Sequence, residues 1–194
     1  MVRTTSKLTF EEYLEYDDGT DKRYELVNGE LVEVPPESGE NYWIAQWLRD
    51  ELIQFVDRRL VKTQGCELQV TGNPANRFPD LTVLLPEHFE LTRRRLTITL
   101  EMRPPLLVAE VVSPYRNKSD DNYRRDYIEK VEQYQARGIP EYWIIDPTGE
   151  LVTVLVLQDG AYKREEFRGD EQIISETFQD LKLTAAEILQ LDNE

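Results

Sequence analysis

One cysteine, Cys66, and one histidine, His88, are all that this chain of 194 residues offers of the two commonest soft metal ligands. A lone cysteine excludes an internal disulfide and any Cys-rich zinc site, and makes a reducing cytoplasm the natural home. A lone histidine excludes paired-imidazole zinc sites, and its place in the mixed segment Pro86-Glu-His-Phe-Glu predicts a solvated loop residue rather than a member of a catalytic triad. Positive charge is also scarce. With 23 Lys and Arg against 38 Asp and Glu the formal charge is −15, which argues against a protein that coats nucleic acid by bulk electrostatics but leaves room for a local cleft that binds phosphate through a metal ion. No apolar run approaches the ~20 residues of a membrane span, the opening Met-Val-Arg-Thr-Thr-Ser-Lys lacks the apolar stretch of a signal peptide, and no lipidation signal, internal repeat, low-complexity tract or linker is visible. The 40% hydrophobic content suffices for one core, so a single domain over residues 1–194 is expected.

What the chain does contain is organised around Leu106-Leu-Val-Ala-Glu-Val-Val112. A short apolar run closed by Ser113-Pro114 reads as a strand covered on both faces, and Glu110 sits inside it. A buried carboxylate costs several kcal/mol unless it is paired, hydrogen-bonded or bound to a cation, on the order of the penalty for any desolvated charge. Either Glu110 is a structural residue held by a backbone or Arg partner, or it belongs to a metal or catalytic set.

Along the chain, Thr9-Phe-Glu-Glu12 has capping-box spacing and predicts a helix to Tyr16. Asn28-Gly29 joins strands over 23–27 and 30–34 as a tight hairpin. From Ser38 to Leu60, apolar residues at three- and four-residue intervals, Trp43 and Trp47 among them, predict one amphipathic helix with its tryptophans in the core rather than around a ligand. Val61 to Val70 reads as one strand, followed by a turn-rich connection. Next, period-two alternation from Phe78 to Leu85 sets Asp80, Thr82 and Leu84 on one face. A surface excursion carrying Arg93-Arg-Arg95 leads to the central strand. A helix over 121–137, stopped by Gly138, follows; at about 100° per residue Tyr123, Tyr127 and Tyr134 share a stripe with Lys130. Lys130 either snorkels, pairs with Asp126 four residues earlier, or serves the buried acid. A strand over 139–146, a hairpin through Asp159-Gly160 and a last capped helix from Thr184 complete the reading.

Asp80, Glu110 and Lys130 make an acid, acid, base set. Two strand carboxylates with a backbone carbonyl, that of Val111, can hold Mg²⁺, which prefers oxygen ligands and keeps several waters. Such an ion lowers the pKa of bound water and neutralises charge on phosphate, while a lysine orients the water or stabilises the transition state.

At these residues the sequence resembles the PD-(D/E)XK nuclease superfamily, and within it the bacterial Uma2-type family of restriction endonuclease-like proteins, abundant in cyanobacteria. The resemblance rests on Tyr24-Glu-Leu-Val-Asn-Gly-Glu30, Pro79-Asp80, Leu107-Val-Ala-Glu-Val-Val-Ser-Pro114, and Asp126, Lys130 and Tyr134 leading into Gly138-Ile-Pro-Glu-Tyr-Trp-Ile-Ile-Asp146. It implies an α/β (α+β) fold with a central mixed sheet flanked by helices, a Mg²⁺-dependent phosphodiesterase site with Mn²⁺ as a substitute, DNA as substrate, and action as a homodimer. Carried over by position, Asp80 and Glu110 are the metal-binding acids and Lys130 the catalytic lysine. Val112 stands where the motif's own lysine belongs, so the lysine comes from the next helix. Glu25 is a further acid or a surface strand residue, and Asp126 and Tyr134 support the lysine. Two other readings stay open: a nuclease fold kept as a binding or regulatory module, and a carboxylate-pair glycosidase, which needs two acids about 5 to 9.5 Å apart and an aromatic-lined groove instead of a lysine aimed at them.

Overall fold

A computed structural model describes residues 7–190; the opening stretch read for a signal peptide lies, but for Lys7, outside the described residues. A six-stranded sheet forms the centre, in the order β11 (Ala161–Phe167), β10 (Leu151–Gln158), β9 (Glu141–Asp146), β8 (Leu107–Val111), β6 (Leu81–Val83) and β3 (Val61–Thr63). Only β8 and β9 pair in parallel, so the sheet is mixed, as expected. Parity divides its residues between two cores. Leu81, Val83, Leu107, Ala109, Val111, Trp143 and Ile145 face α2 (Gly39–Leu52) and α6 (Ala185–Leu189). Leu84, Val108, Val112, Tyr142 and Ile144 face the other way, toward Tyr134 and a three-stranded sheet of β5 (Asn76–Arg77), β4 (Glu67–Gln69) and β7 (Thr97–Ile98).

The polypeptide from 121 to 137 runs as α4 (Asp121–Arg124), a π-helical turn (Arg125–Glu129) and α5 (Lys130–Arg137), ended by Gly138 at φ 77°. The N-terminal helix α1 (Phe10–Leu14) carries the full capping box at Thr9 and Glu12. Asn28 and Gly29 take φ of 51° and 81°, the pair of positive angles that a tight hairpin needs, and join β1 (Tyr24–Val27) to β2 (Glu30–Glu33). Among the described residues no helix is long and apolar enough to cross a membrane.

Several expectations are overturned. The helix from Ser38 stops at Leu52, not Leu60, because Gln54 and Phe55 bond back only three residues and the Asp57 carboxylate then turns the chain by accepting the Arg59 N–H. Its inward stripe is Asn41, Ile44, Ala45, Leu48 and Leu52, which leaves Trp47 half-buried at the edge and Trp43 57% exposed on the far side. The expected strand over 61–70 is two strands in different sheets, split where Gln64 and Gly65 take φ of 44° and 89°. The segment before the central strand is not all surface excursion, since it holds the helical turn α3 (His88–Leu91) and β7.

His88 is fully buried, not solvated. Its Nδ1 accepts the Leu85 N–H at 3.2 Å, so Nε2 bears the proton and donates to the Arg103 carbonyl at 3.0 Å. The imidazole thereby satisfies two backbone groups of irregular chain, which no helix or strand ladder could reach. Burial lowers its pKa from the ordinary value. A neutral form favoured in the folded state contributes stability that is complete above the unfolded pKa and lost as pH falls through the lowered folded pKa. Urea denaturation across pH 7 to 5 should therefore show a steeper stability loss in the parent than in His88→Gln, which starts about 1–2 kcal/mol less stable; parallel pH profiles would contradict this account of His88.

Candidate active site

Strand register builds the site. Leu81 pairs with Ala109 in the antiparallel β6–β8 ladder, so one step further places Asp80 across from Glu110. Both side chains share the face of Thr82, Leu84, Val108 and Val112, the face that the 121–137 helix covers. Asp80 is fixed by the Val111 N–H, which donates to Oδ2 at 2.7 Å; Oδ1 receives no donor among the described residues. The Val111 carbonyl accepts from Asn41 Nδ2 at 3.2 Å.

Glu110 is held from the helix. Lys130 Nζ donates to Oε2 at 2.8 Å and the Tyr134 hydroxyl to Oε1 at 2.5 Å. Lys130 also pairs with Asp126 at 2.8 Å, and Asp126 in turn with Arg125 at 3.0 Å, whose Nη2 reaches Ser113 Oγ. The acid, acid, lysine set foreseen from sequence is thus brought together, with Asp126 and Tyr134 as its supports. Glu110 and Lys130 satisfy one another, and both readings of Lys130, as partner of Asp126 and of the buried acid, hold together.

The π turn matters to this arrangement. The Lys130 N–H bonds the Arg125 carbonyl five residues back, which widens the helix one turn before the lysine. Tyr127 within that turn and Tyr115 after the central strand both donate to Asp146 Oδ2, at 2.5 and 2.8 Å, while Gly149 N–H holds Oδ1 at 2.8 Å. One buried carboxylate therefore ties the lysine helix to the segment that follows Glu110. The sequence showed Asp146 only as a strand end and gave no sign of Asn41, in the first turn of α2, or of Arg77, in β5; a single polar residue in an element carries no pattern that distinguishes an inward from an outward side chain.

Burial first, and the Glu110 charge second, push the Asp80 carboxyl well above the usual carboxylate range. Burial opposes the Lys130 ammonium, but Asp126, Glu110 and Asp80 outweigh it and raise its pKa. Asp126 is also buried, yet Lys130 and Arg125 hold it below the usual range.

Asp80, Glu110, Val111 and Lys130 line a cleft of about 220 Å³, walled by Glu25 and Val32 to Glu37 and by Phe78, its one aromatic among the described residues. At ~30 Å³ per water this is room for about seven waters, hence for a hydrated ion and a phosphate group. Glu25 opens onto it and accepts Arg77 Nη1 at 3.3 Å from both oxygens, so it is a cleft residue rather than a plain surface one. The wall lacks the aromatic groove of a carbohydrate site, and a lysine aims at the acid pair, which disfavours the glycosidase reading. No group of three or more His, Cys, Asp or Glu side chains stands ready to hold a metal among the described residues. Donors here are two carboxylates and a carbonyl, with a free Asp80 oxygen and an unfavourable pair of negative charges, which is a set that fits a hard cation. The arginines are distributed over separate hollows: Arg94 and Arg95 line one beside Tyr13 and Asp17, and Arg124 and Arg125 one beside Glu25.

Comparison with solved structures places the fold in a class. A crystal structure described as a putative nuclease belonging to DUF820, from Anabaena variabilis ATCC 29413, superimposes with a TM-score of 0.67 at 16% identity, covering 94% of this chain and 98% of that one. The shared architecture is the restriction endonuclease-like fold. No curated protein matches significantly. The family model for Uma2, described as "Putative restriction endonuclease", matches residues 10–186, and the chain belongs to that family.

An acid held with a raised pKa weakens the fold above its unfolded pKa, because the folded state resists the ionisation that the unfolded chain undergoes freely. In the metal-free protein at pH 7, Asp80→Asn keeps the acceptor for Val111 N–H and removes the charge. Its melting temperature should rise by roughly 2–4 °C, about 1 kcal/mol for a domain of this size. A lower melting temperature would show that the acid pair is held without strain on the fold.

Proposed function

We propose that the protein is a metal-dependent nuclease hydrolysing phosphodiester bonds of DNA in the cleft between the β1–β2 hairpin and the ends of β6 and β8. The observation that carries this reading is Asp80 set across from Glu110, one Asp80 oxygen free of donors, with the Lys130 ammonium 2.8 Å from Glu110. Asp80, Glu110 and the second lone pair of the Val111 carbonyl would hold Mg²⁺, or Mn²⁺ on the same oxygen donors. When bound, the ion supplies Lewis acidity, making hydroxide available near neutral pH and neutralising charge on the phosphate.

The chain's own groups do the rest. Without metal, Asp126, Glu110 and Asp80 favour the Lys130 ammonium over its buried neutral form, which suits it to orient the attacking water and stabilise developing negative charge. Asp126 keeps the ammonium in place if Glu110 turns to a cation, because the two carboxylates contact the same Nζ. Tyr134 fixes the rotamer of Glu110 by its hydrogen bond. Cutting both strands of a duplex calls for two such clefts, so a symmetric homodimer is part of the proposal.

The net charge of −15 favours a second reading, a nuclease-fold binding module without catalysis. Calorimetry with Mg²⁺ and Mn²⁺, together with nicking of supercoiled DNA, separates the two. The parent should bind metal with proton release, more tightly as pH rises through the raised Asp80 pKa, because the ligand must ionise. Asp80→Ala and Glu110→Ala should each lose at least about tenfold in affinity, and Lys130→Ala should retain binding but lose about 10²–10³ in nicking rate. Absence of metal binding by the parent would overturn the catalytic assignment; metal binding without nicking would favour the binding module.

A further inference from the structure

Beside the cleft lies a second hollow, of about 460 Å³, lined by Glu25, Asn73, Arg77, Arg124, Arg125 and Glu129 among others. Glu25 and Arg125 belong to both, so the two spaces are neighbours along one wall of the molecule. Arg77 is the unusual member. Its side chain is only 3% exposed, and a buried guanidinium normally uses all its donors. Here Nε donates to Gln133 Oε1 at 2.8 Å and Nη1 makes two long bonds of 3.3 Å to Glu25, but Nη2 has no hydrogen-bond partner and lies 3.5 Å from Glu129 Oε2. Gln133 is itself anchored to the Thr71 and Pro74 carbonyls, which fixes the guanidinium plane rather than letting it turn toward a partner. Arg124, on the same wall, makes no side-chain hydrogen bond or ion pair among the described residues.

Nη2 is buried beneath the half-exposed Glu129 side chain, so an anion reaches it only as Glu129 turns aside; with that displacement, a pre-set arginine and an uncommitted surface arginine on one hollow are suited to a tetrahedral oxyanion, because guanidinium donors match phosphate oxygens in pairs. We propose that this hollow is a phosphate subsite, which takes a phosphodiester of the same nucleic-acid strand next to the one in the metal cleft, through Arg77 Nη2 and Arg124. The inference rests on the nuclease reading and extends it from the reacting phosphate to the strand that carries it. The acids in the hollow set its selectivity. Glu25 already neutralises the opposite edge of Arg77, while Asp121 and Glu129 sit with it around the opening, so the two arginines do not gather small anions without further contacts. A strand whose scissile phosphate is held next door supplies those contacts, and brings the second phosphate at high effective concentration. This reconciles an overall charge of −15 with a polyanionic substrate: the positive groups are few, fixed and placed at phosphate positions instead of spread over a face.

The test is binding of a fluorescently labelled single-stranded DNA 12-mer by anisotropy, in Ca²⁺ to hold the metal cleft without turnover, over a range of salt concentrations. A matched RNA 12-mer distinguishes the two sources of the same phosphodiester. Arg124→Gln should weaken binding about tenfold and flatten the plot of log affinity against log salt by about 0.7 for the lost phosphate contact, with calorimetric metal affinity unchanged. Arg77→Lys, which keeps the buried charge and loses the paired donors, should weaken binding similarly without altering metal affinity. Affinity and salt slope equal to the parent's in both variants, while the parent binds and nicks DNA, would overturn the subsite and leave the nuclease reading intact. A parent that binds metal but neither DNA nor RNA would overturn both.

Discussion

Everything at the site depends on the pairing of two carboxylates across neighbouring strands. The β6–β8 register sets Asp80 opposite Glu110 on a face that the fold buries, and like charges there cannot both ionise without help. The surroundings distribute that difficulty. Glu110 is satisfied from one side by Lys130 and Tyr134, and Asp80 takes a single backbone N–H and keeps an oxygen free. The unfavourable remainder is what the proposed cation would relieve, so the arrangement that costs stability without metal would supply affinity for one.

The helix opposite the sheet carries the lysine on an irregular turn. Lys130 follows directly on a π turn, and the turn is held by Tyr127 on Asp146, which also takes Tyr115 from beyond the central strand. The segment after the central strand and the π turn are thereby fixed to one buried oxygen. Asp126, Glu110 and Asp80 outweigh burial and favour the ammonium form of Lys130, which lies between Asp126 and Glu110.

Much of this was legible in the sequence where a residue contradicted its local pattern. Glu110 in an apolar run and Lys130 in a tyrosine stripe signalled themselves because burial of charge demands a partner. Capping boxes and the Asn28-Gly29 and Asp159-Gly160 turns were readable because they depend on neighbours in sequence. The break at Gln64-Gly65 and the burial of His88 were not readable, since each follows from long-range contacts: β4 leaves the main sheet for β7, and His88 reaches Arg103. Arg77 was invisible for the same reason. Nothing near it in sequence tells that Gln133 and Glu25 will enclose it. Parity within strands was the most transferable signal, as Asp80, Thr82 and Leu84 share the face assigned to them by alternation alone.

The central claim is that Asp80 and Glu110 jointly hold a divalent cation. The most direct measurement is anomalous diffraction from crystals grown with Mn²⁺, recorded for the parent and for Glu110→Gln. The account predicts one anomalous peak within coordination distance of Asp80 Oδ1, Glu110 and the Val111 carbonyl, lost in the variant. No peak in the cleft, with Glu110 still bound to Lys130 and Tyr134 at saturating Mn²⁺, would contradict it.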